Sequence, residues 1–223
     1  MAQAPELLGS AAERDELVRR IGAALRGAAP GSRVELRGSL AADRADEYSD
    51  IDLLWTVPDQ DFAALAAAVP AILSTVRPVL SVRSDPELQR SRKRRLLFAL
   101  FDGVPLFWRL DLDLRAASTA ADPSYDLDNP AAAGTDWSLP ASALANAIAA
   151  IKAIRRGNPD TARGLLERGF ARIAVPRDRT GDAGLADILA LADAASHQDP
   201  TLTPLAARVH TLATALLSPA GGG

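Results

Sequence analysis

The feature that most limits what this chain can fold into is a change of hydrophobic period. Before residue 115, short apolar runs alternate with polar residues in the two-residue rhythm of strands. After residue 140, apolar residues recur every three or four positions, as they do on helices. Residues 115–140 separate the two patterns; they are rich in Asp, Pro, Ser, Gly and Ala and show no period. The expectation is an α+β chain, with a mixed β-sheet domain flanked by helices over residues 1–122, a linker over 123–140 and an α-helical domain over 141–223. At 223 residues, with 48% of them hydrophobic, the chain is long enough to bury cores.

Within the first part, Ser10 followed by Glu13 forms a capping box, and Leu17, Val18, Ile21 and Leu25 lie on one stripe of a helix ending near Gly27. Val34 and Leu36 alternate with charged residues in a short strand that runs into Gly38 and Ser39. A polar stretch, 41–49, precedes a largely buried second strand over 50–57, which Pro58 stops. Phe62, Leu65, Val69 and Ile72 predict a helix interrupted by Pro70, and 79–83 a short strand. Residues 90–95 read as a basic loop. Two apolar runs around Asp102-Gly103 predict a hairpin with a tight reversed turn, weakened at its start by Pro105. In the second part, stripes from Leu144 to Ile154 and from Leu166 to Ile173 predict two helices ending at Gly157 and Pro176. Two more are expected over 183–196 and 202–217, and the glycine tail 221–223 is expected to be disordered.

Composition narrows the functions. A net charge of -3 lacks the positive field that gives non-specific affinity for phosphate backbones, so nucleic acid is not an expected partner. Only 4% of residues are aromatic, which disfavours a stacking platform for single strands. With no Cys and only His197 and His210, neither of which shows a sequence partner, there is no thiolate metal site or zinc site. No stretch of about 18 uncharged apolar residues occurs, and no basic segment with an apolar run opens the sequence. A soluble cytoplasmic protein without a membrane partner is the expectation.

Asp50 and Asp52 stand two apart at the start of the second strand and so share a face, while Ile51, Leu53, Trp55 and Val57 form the apolar face behind them. Carboxylates this close repel one another unless a cation lies between them, and hard oxygen donors suit Mg²⁺. A lone Asp-x-Asp also occurs at solvated strand ends. Here Gly38-Ser39 lies just upstream, where a small residue lets backbone N–H groups and a hydroxyl approach a phosphate. A second same-face pair, Asp111 and Asp113, lies on a later strand.

Gly38-Ser39, nine intervening residues and Ser49, then Asp50-Ile51-Asp52-Leu53, resembles the signature of the DNA polymerase β-like nucleotidyltransferase superfamily. The resemblance covers about residues 11 to 115; the helical remainder is only generally similar to the C-terminal domains of small antibiotic nucleotidyltransferases. It implies that residues 1–122 form a nucleotidyltransferase domain in which Asp50, Asp52 and Asp111 are catalytic and hold two Mg²⁺ ions, with Asp113 as the rival to Asp111. It also implies nucleotide contacts from Gly38, Ser39 and Ser49, and allows a homodimer.

Beyond the motif, Lys152 lies at the edge of an apolar helical stripe and is either a snorkelling amine or a phosphate contact. Glu167 is either a surface charge or the base that acts on the acceptor, as in some antibiotic-modifying relatives. Arg92 to Arg95 read as a solvated cluster, and Asp122, Tyr125, Asp126, Asp128 and Asp136 as a group able to face a cationic substrate. The expected activity is transfer of a nucleoside monophosphate from an NTP, ATP first, to a hydroxyl of a small molecule resembling an aminoglycoside. The alternatives are an antitoxin-type enzyme that modifies a partner protein, and a catalytically silent nucleotide-binding module.

Overall fold

The computed structural model describes residues 7–120, 122, 124–177 and 184–218. These divide into two compact units, one comprising Gly9–Trp137 and the other residues 7–8 with those from Ser138 onward. Among the described residues no helix is long and apolar enough to cross a membrane.

The first unit opens with α1 (Ala11–Ala28). The Glu13 N–H donates to Ser10 Oγ at 3.2 Å and the Ser10 N–H donates to Glu13 Oε2 at 2.8 Å, which satisfies two amides at the helix start. The order continues β1 (Arg33–Leu36), the single turn α2 (Gly38–Ala41), β2 (Ile51–Val57), α3 (Phe62–Ser74), β3 (Val79–Ser84), β4 (Arg94–Phe101) and β5 (Leu110–Ala116). The five strands form one mixed sheet in the order β1-β2-β5-β4-β3, parallel only between β2 and β5. Alternation decides its two faces. Leu110, Leu112 and Leu114 of β5 and Ile51 and Trp55 of β2 are fully buried, while Asp52, Asp111, Asp113 and Arg115 point the other way. Ile21 and Leu25 of α1 and Phe62, Val69 and Leu73 of α3 complete the apolar layer.

The structure departs from the sequence expectation at several places. Pro70 does not interrupt α3: it sits on the exposed side, and continued burial of Val69 and Leu73 carries the helix past the missing N–H. The hairpin turn is not the two residues Asp102-Gly103. Pairing of β4 with β5 begins at Ala99 and Leu110, so residues 102–109 form a loop, closed by the Trp108 N–H on the Pro105 carbonyl at 3.0 Å. Pro105 has no N–H for a ladder, and Leu106, Phe107 and Trp108 are buried instead of paired. The basic run is no loop throughout, because Arg94 and Arg95 open β4.

Residues 124–137, within the stretch expected as a linker, are bound to the sheet unit. The Arg90 N–H donates to the Ala132 carbonyl at 2.7 Å, the Gly134 N–H to the Pro86 carbonyl at 2.8 Å and the Asp136 N–H to Gln89 Oε1 at 3.0 Å. The Asp and Asn residues of this stretch close local turns, as where Asn129 Oδ1 accepts from the Ala131 N–H at 3.1 Å.

The second unit is helical: α4 (Leu139–Arg155), α5 (Pro159–Arg172), α6 (Leu185–Gln198) and α7 (Thr203–Leu217). Ser138 caps α4, accepting from the Ala141 N–H at 3.1 Å. Ala143, Leu144, Ala147, Ala150 and Ile151 of α4 are fully buried, and α4 packs against each of the other three helices. A Cβ on Gly169 of α5 would lie 2.5 Å from Leu191 of α6, so the glycine permits the close approach of those helices. The glycine tail lies outside the described residues.

Candidate active site

The parallel pairing of β2 with β5 fixes the centre of the site. Asp52 is the register partner of Asp111, so their side chains are neighbours on the polar face of adjacent strands about 5 Å apart. Asp50 stands immediately before β2, held by the Ile51 N–H on the Arg109 carbonyl at 2.9 Å. Three of the expected ligands, from two strands, thus share one end of one face.

Gly38 is tied to the same place. Its φ is +59°, a left-handed value costly for other residues, and a Cβ there would lie 2.1 Å from Asp52 Oδ2. The Arg37 N–H donates to the Asp52 carbonyl at 2.9 Å, which holds the start of α2 against the carboxylate. Ser39, half-buried, follows directly. Ser49 is buried and exchanges hydrogen bonds with Asp46: its Oγ donates to Asp46 Oδ1 at 2.8 Å and accepts from the Asp46 N–H at 3.0 Å. Tyr48, edge-on to Phe107 at 5.4 Å, and Arg14, donating to the Asp46 carbonyl at 2.6 Å, pin the rest of that turn. The turn that leads into Asp50 is thus fixed at Asp46 and Ser49.

Two arginine arrangements distinguish Asp111 from Asp113. Asp113 accepts from both Arg94, at 3.2 Å on each oxygen, and Arg115, at 3.0 and 2.7 Å. Arg109 holds Asp111 in a fork: its Nε and Nη2 donate to the two carboxylate oxygens, each at 2.6 Å. The same guanidinium lies 3.8 Å from Asp50 and 5.0 Å over the Phe98 ring. Burial works against its charge, but the hydrogen bonds and field of Asp111, with Asp50 and Asp52 behind them, outweigh that and raise Arg109 above its ordinary value. Trp137 stands edge-on to Phe98 with ring centres 6.3 Å apart, and Arg83 lies 5.0 Å over the Trp137 ring.

The donor type suits a hard divalent cation: the three expected ligands are carboxylates, and Arg109 contacts two of them, Asp111 and Asp50. Among the described residues, no three such side chains converge closely enough to hold an ion.

Lys152 and Glu167 belong to the helical unit. Lys152 is half-buried in the last turn of α4. Glu167 is exposed on α5, 4.0 Å from Arg177, which is itself fixed by Asp187 at 2.8 Å. His210, without a partner in the sequence reading, lies 2.9 Å from Asp193 across α6 and α7, a contact that only tertiary structure supplies. Of the basic run, Arg94 belongs to the Asp113 cluster, and Arg95 donates to the Leu88 carbonyl at 2.9 Å. Asp126 is drawn into local bonds: the Ser91 hydroxyl, then Asn129, hold its carboxyl below the ordinary range, with Arg95 adding to the effect.

Arg109, Phe98 and Trp137 escaped the sequence reading. The Arg-x-Asp spacing of Arg109 and Asp111 was a usable signal, since alternation puts both on one face. Nothing in the sequence placed Trp137 over β4, because a loop without period carries no register. No protein-family model matches the chain, and no curated protein matches its sequence.

Proposed function

We propose that the sheet unit binds a nucleoside triphosphate, with ATP the first candidate, and transfers its nucleoside monophosphate to a hydroxyl of a small molecule. This reading takes up the resemblance of Gly38-Ser39 and Asp50-Ile51-Asp52 to the polymerase β-like nucleotidyltransferases. The observation that carries it is the register of Asp52 with Asp111, with Gly38 packed so closely on Asp52 that any side chain there would displace the carboxylate. A strand-end Asp pair with no function has no need of a third carboxylate beside it, nor of a glycine shaped to it.

In this reading the acceptor oxygen attacks the α-phosphorus, the bond to the bridging oxygen breaks, and pyrophosphate leaves as the acceptor hydroxyl gives up its proton. Asp50, Asp52 and Asp111 would hold the divalent ions. Bound Mg²⁺ supplies charge neutralisation at the phosphates and lowers the pKa of the acceptor hydroxyl. Ser39 offers its hydroxyl to the terminal phosphates, and Gly38 keeps side-chain bulk out of their path. Ser49 orients Asp50 through the Asp46 turn. Asp113, saturated by Arg94 and Arg115, keeps the strand ends in place and takes no part in the chemistry. Lys152 is assigned to phosphate binding and Glu167 to the acceptor's proton. A cationic acceptor of aminoglycoside type fits the acidic balance of the chain, and the same balance disfavours nucleic acid.

A second reading, a nucleotide-binding module without turnover, is favoured by one observation: Arg109 already neutralises Asp111. Incubation of the full chain with each NTP, Mg²⁺ and a panel of hydroxylated amines, followed by mass spectrometry, separates the two. A mass gain of one nucleoside monophosphate supports the enzyme. Nucleotide binding without pyrophosphate release supports the module, and failure to bind any nucleotide removes both.

A further inference from the structure

The strand registers set Asp52, Asp111, Phe98 and Arg83 in one row across the polar face of the sheet: Asp52 of β2 faces Asp111 of β5, Asp111 faces Phe98 of β4, and Phe98 faces Arg83 of β3. With strands about 5 Å apart, Phe98 lies one strand beyond the carboxylate pair and Arg83 two. Gly38 and Ser39 stand at the opposite end of the row, since they follow the edge strand β1 and Gly38 packs on Asp52. Trp137 lies at the far end. Its ring stands edge-on to Phe98, with centres 6.3 Å apart, and the Arg83 guanidinium lies over it at 5.0 Å. The loop that carries Trp137 is fastened. The Asp136 N–H donates to Gln89 Oε1 at 3.0 Å, the Gln89 side-chain amide donates back to the Asp136 carbonyl, and the Gly134 N–H donates to the Pro86 carbonyl at 2.8 Å. A Cβ on Gly134 would lie 2.2 Å from Gln89 Oε1, so the glycine lets this clasp close. Phe98 and Trp137 are nevertheless only half-buried.

We propose that Phe98 and Trp137 form the acceptor subsite, and that they hold a saturated, hydroxylated ring by its C–H face. The inference rests on the nucleotidyl-transfer reading and gives each substrate a side of the carboxylates. In an in-line displacement the attacking and leaving oxygens lie on opposite sides of the phosphorus. Pyrophosphate is assigned to Gly38 and Ser39, at one end of the row. With the α-phosphorus at Asp52 and Asp111, the acceptor enters from the other end, where Phe98 and Trp137 stand. Charge decides which part of the acceptor meets the rings. Arg83 already lies over the indole and Arg109 lies 5.0 Å over Phe98, so a further cation at these rings is repelled. The rings therefore take an uncharged ring face, packed by its C–H groups. The rim of that ring carries one hydroxyl towards Asp111 and any amines away from the arginines.

The test uses streptamine and glucosamine, hydroxylated amines with a saturated ring, against diaminopropanol, a hydroxylated diamine without one. Each is titrated into the full chain with Mg²⁺ and a non-hydrolysable ATP analogue. Binding is read by calorimetry and by tryptophan fluorescence, which reports on Trp137 because Trp55 and Trp108 are buried. Wild type is expected to bind a ring compound about tenfold more tightly than diaminopropanol, the gain from stacking a ring, with a change in fluorescence. Trp137→Ala is expected to lose that preference and keep its affinity for the ATP analogue. Trp137→Phe keeps a smaller ring, so a loss of about threefold is expected, and this variant decides the matter if Trp137→Ala does not fold. If wild type binds the ATP analogue but prefers neither ring compound, or if Trp137→Ala keeps the preference, the acceptor subsite is wrong while the nucleotide reading stands. If Trp137→Ala weakens binding of the ATP analogue in place of the ring compounds, the rings hold the nucleobase and the assignment is overturned. If wild type binds no ATP analogue, the transfer reading falls and the acceptor subsite falls with it.

Discussion

Single residues separate the parts of the candidate site that hold it together from the parts to which chemistry is assigned. Asp113→Asn leaves Arg94 and Arg115 facing a neutral amide in a largely shielded place, and the expected cost is roughly 3 kcal/mol of stability, read by chemical denaturation. Mn²⁺ binding by the folded fraction of that variant should be unchanged. Asp111→Asn is expected to weaken cation binding, at a smaller cost in stability than Asp113→Asn, since Arg109 keeps Asp50 at 3.8 Å and repulsion with Asp52 is relieved. Gly38→Ala forces an alanine into a left-handed conformation, at a cost of about 1–2 kcal/mol, and pushes the new Cβ into Asp52. Its melting temperature should fall and its turnover with it; a stable and fully active Gly38→Ala would show that the contact has no part in the site. The Asp residues were legible in the sequence because a period of two assigns each to a face. Their partners were not: which arginine meets which carboxylate depends on strand register, and Asp111 and Asp113 look alike until β4 brings Arg94 beside one of them.

Elements were legible where burial alone decides them and lost where a loop does. The capping box of α1, the strands over Arg33–Leu36 and Ile51–Val57, and the helices α4 to α7 follow from period and caps. The turn between β4 and β5 was misplaced because Asp-Gly is a strong local signal, whereas the burial of Phe107 and Trp108 that overrides it is a tertiary fact. A second feature of this kind fastens the far end of the sheet. Asp59, before α3, accepts from the hydroxyl and the N–H of Ser118, just after β5, and Lys93 stands 3.5 Å away. The Ser118 hydroxyl first, then its N–H, hold the Asp59 carboxyl below its ordinary 3.8, with Lys93 adding to the effect. The folded protein therefore takes up that proton less readily than the unfolded chain. The clasp contributes stability above the ordinary carboxylate range and loses it as pH falls through the depressed folded value. Asp59→Asn should flatten that part of the stability profile, measured as the unfolding midpoint against pH below about 4; an unchanged profile would show that the clasp contributes nothing.

At the scale of the whole molecule, the division into a sheet unit and a helical unit was legible from the change of period, but the boundary was not. Residues 124–137 carry no period and so read as a connection, yet their amides and carbonyls bond to the sheet unit through Arg90, Gln89 and Pro86. The proposed roles are divided in the same way. The sheet unit holds every group assigned to the cation and the nucleotide except Lys152, and the helical unit holds Lys152 and Glu167. The claim on which all of this depends is that the three carboxylates perform phosphoryl transfer. It is tested most directly by pyrophosphate release from NTP, with Mg²⁺ and an accepted small molecule, in the wild-type chain and in Asp52→Asn. Wild type is expected to release pyrophosphate only with Mg²⁺ present. Asp52→Asn is expected to remain folded and release none, whereas an Asp52→Asn protein that turns over at the wild-type rate contradicts the assignment.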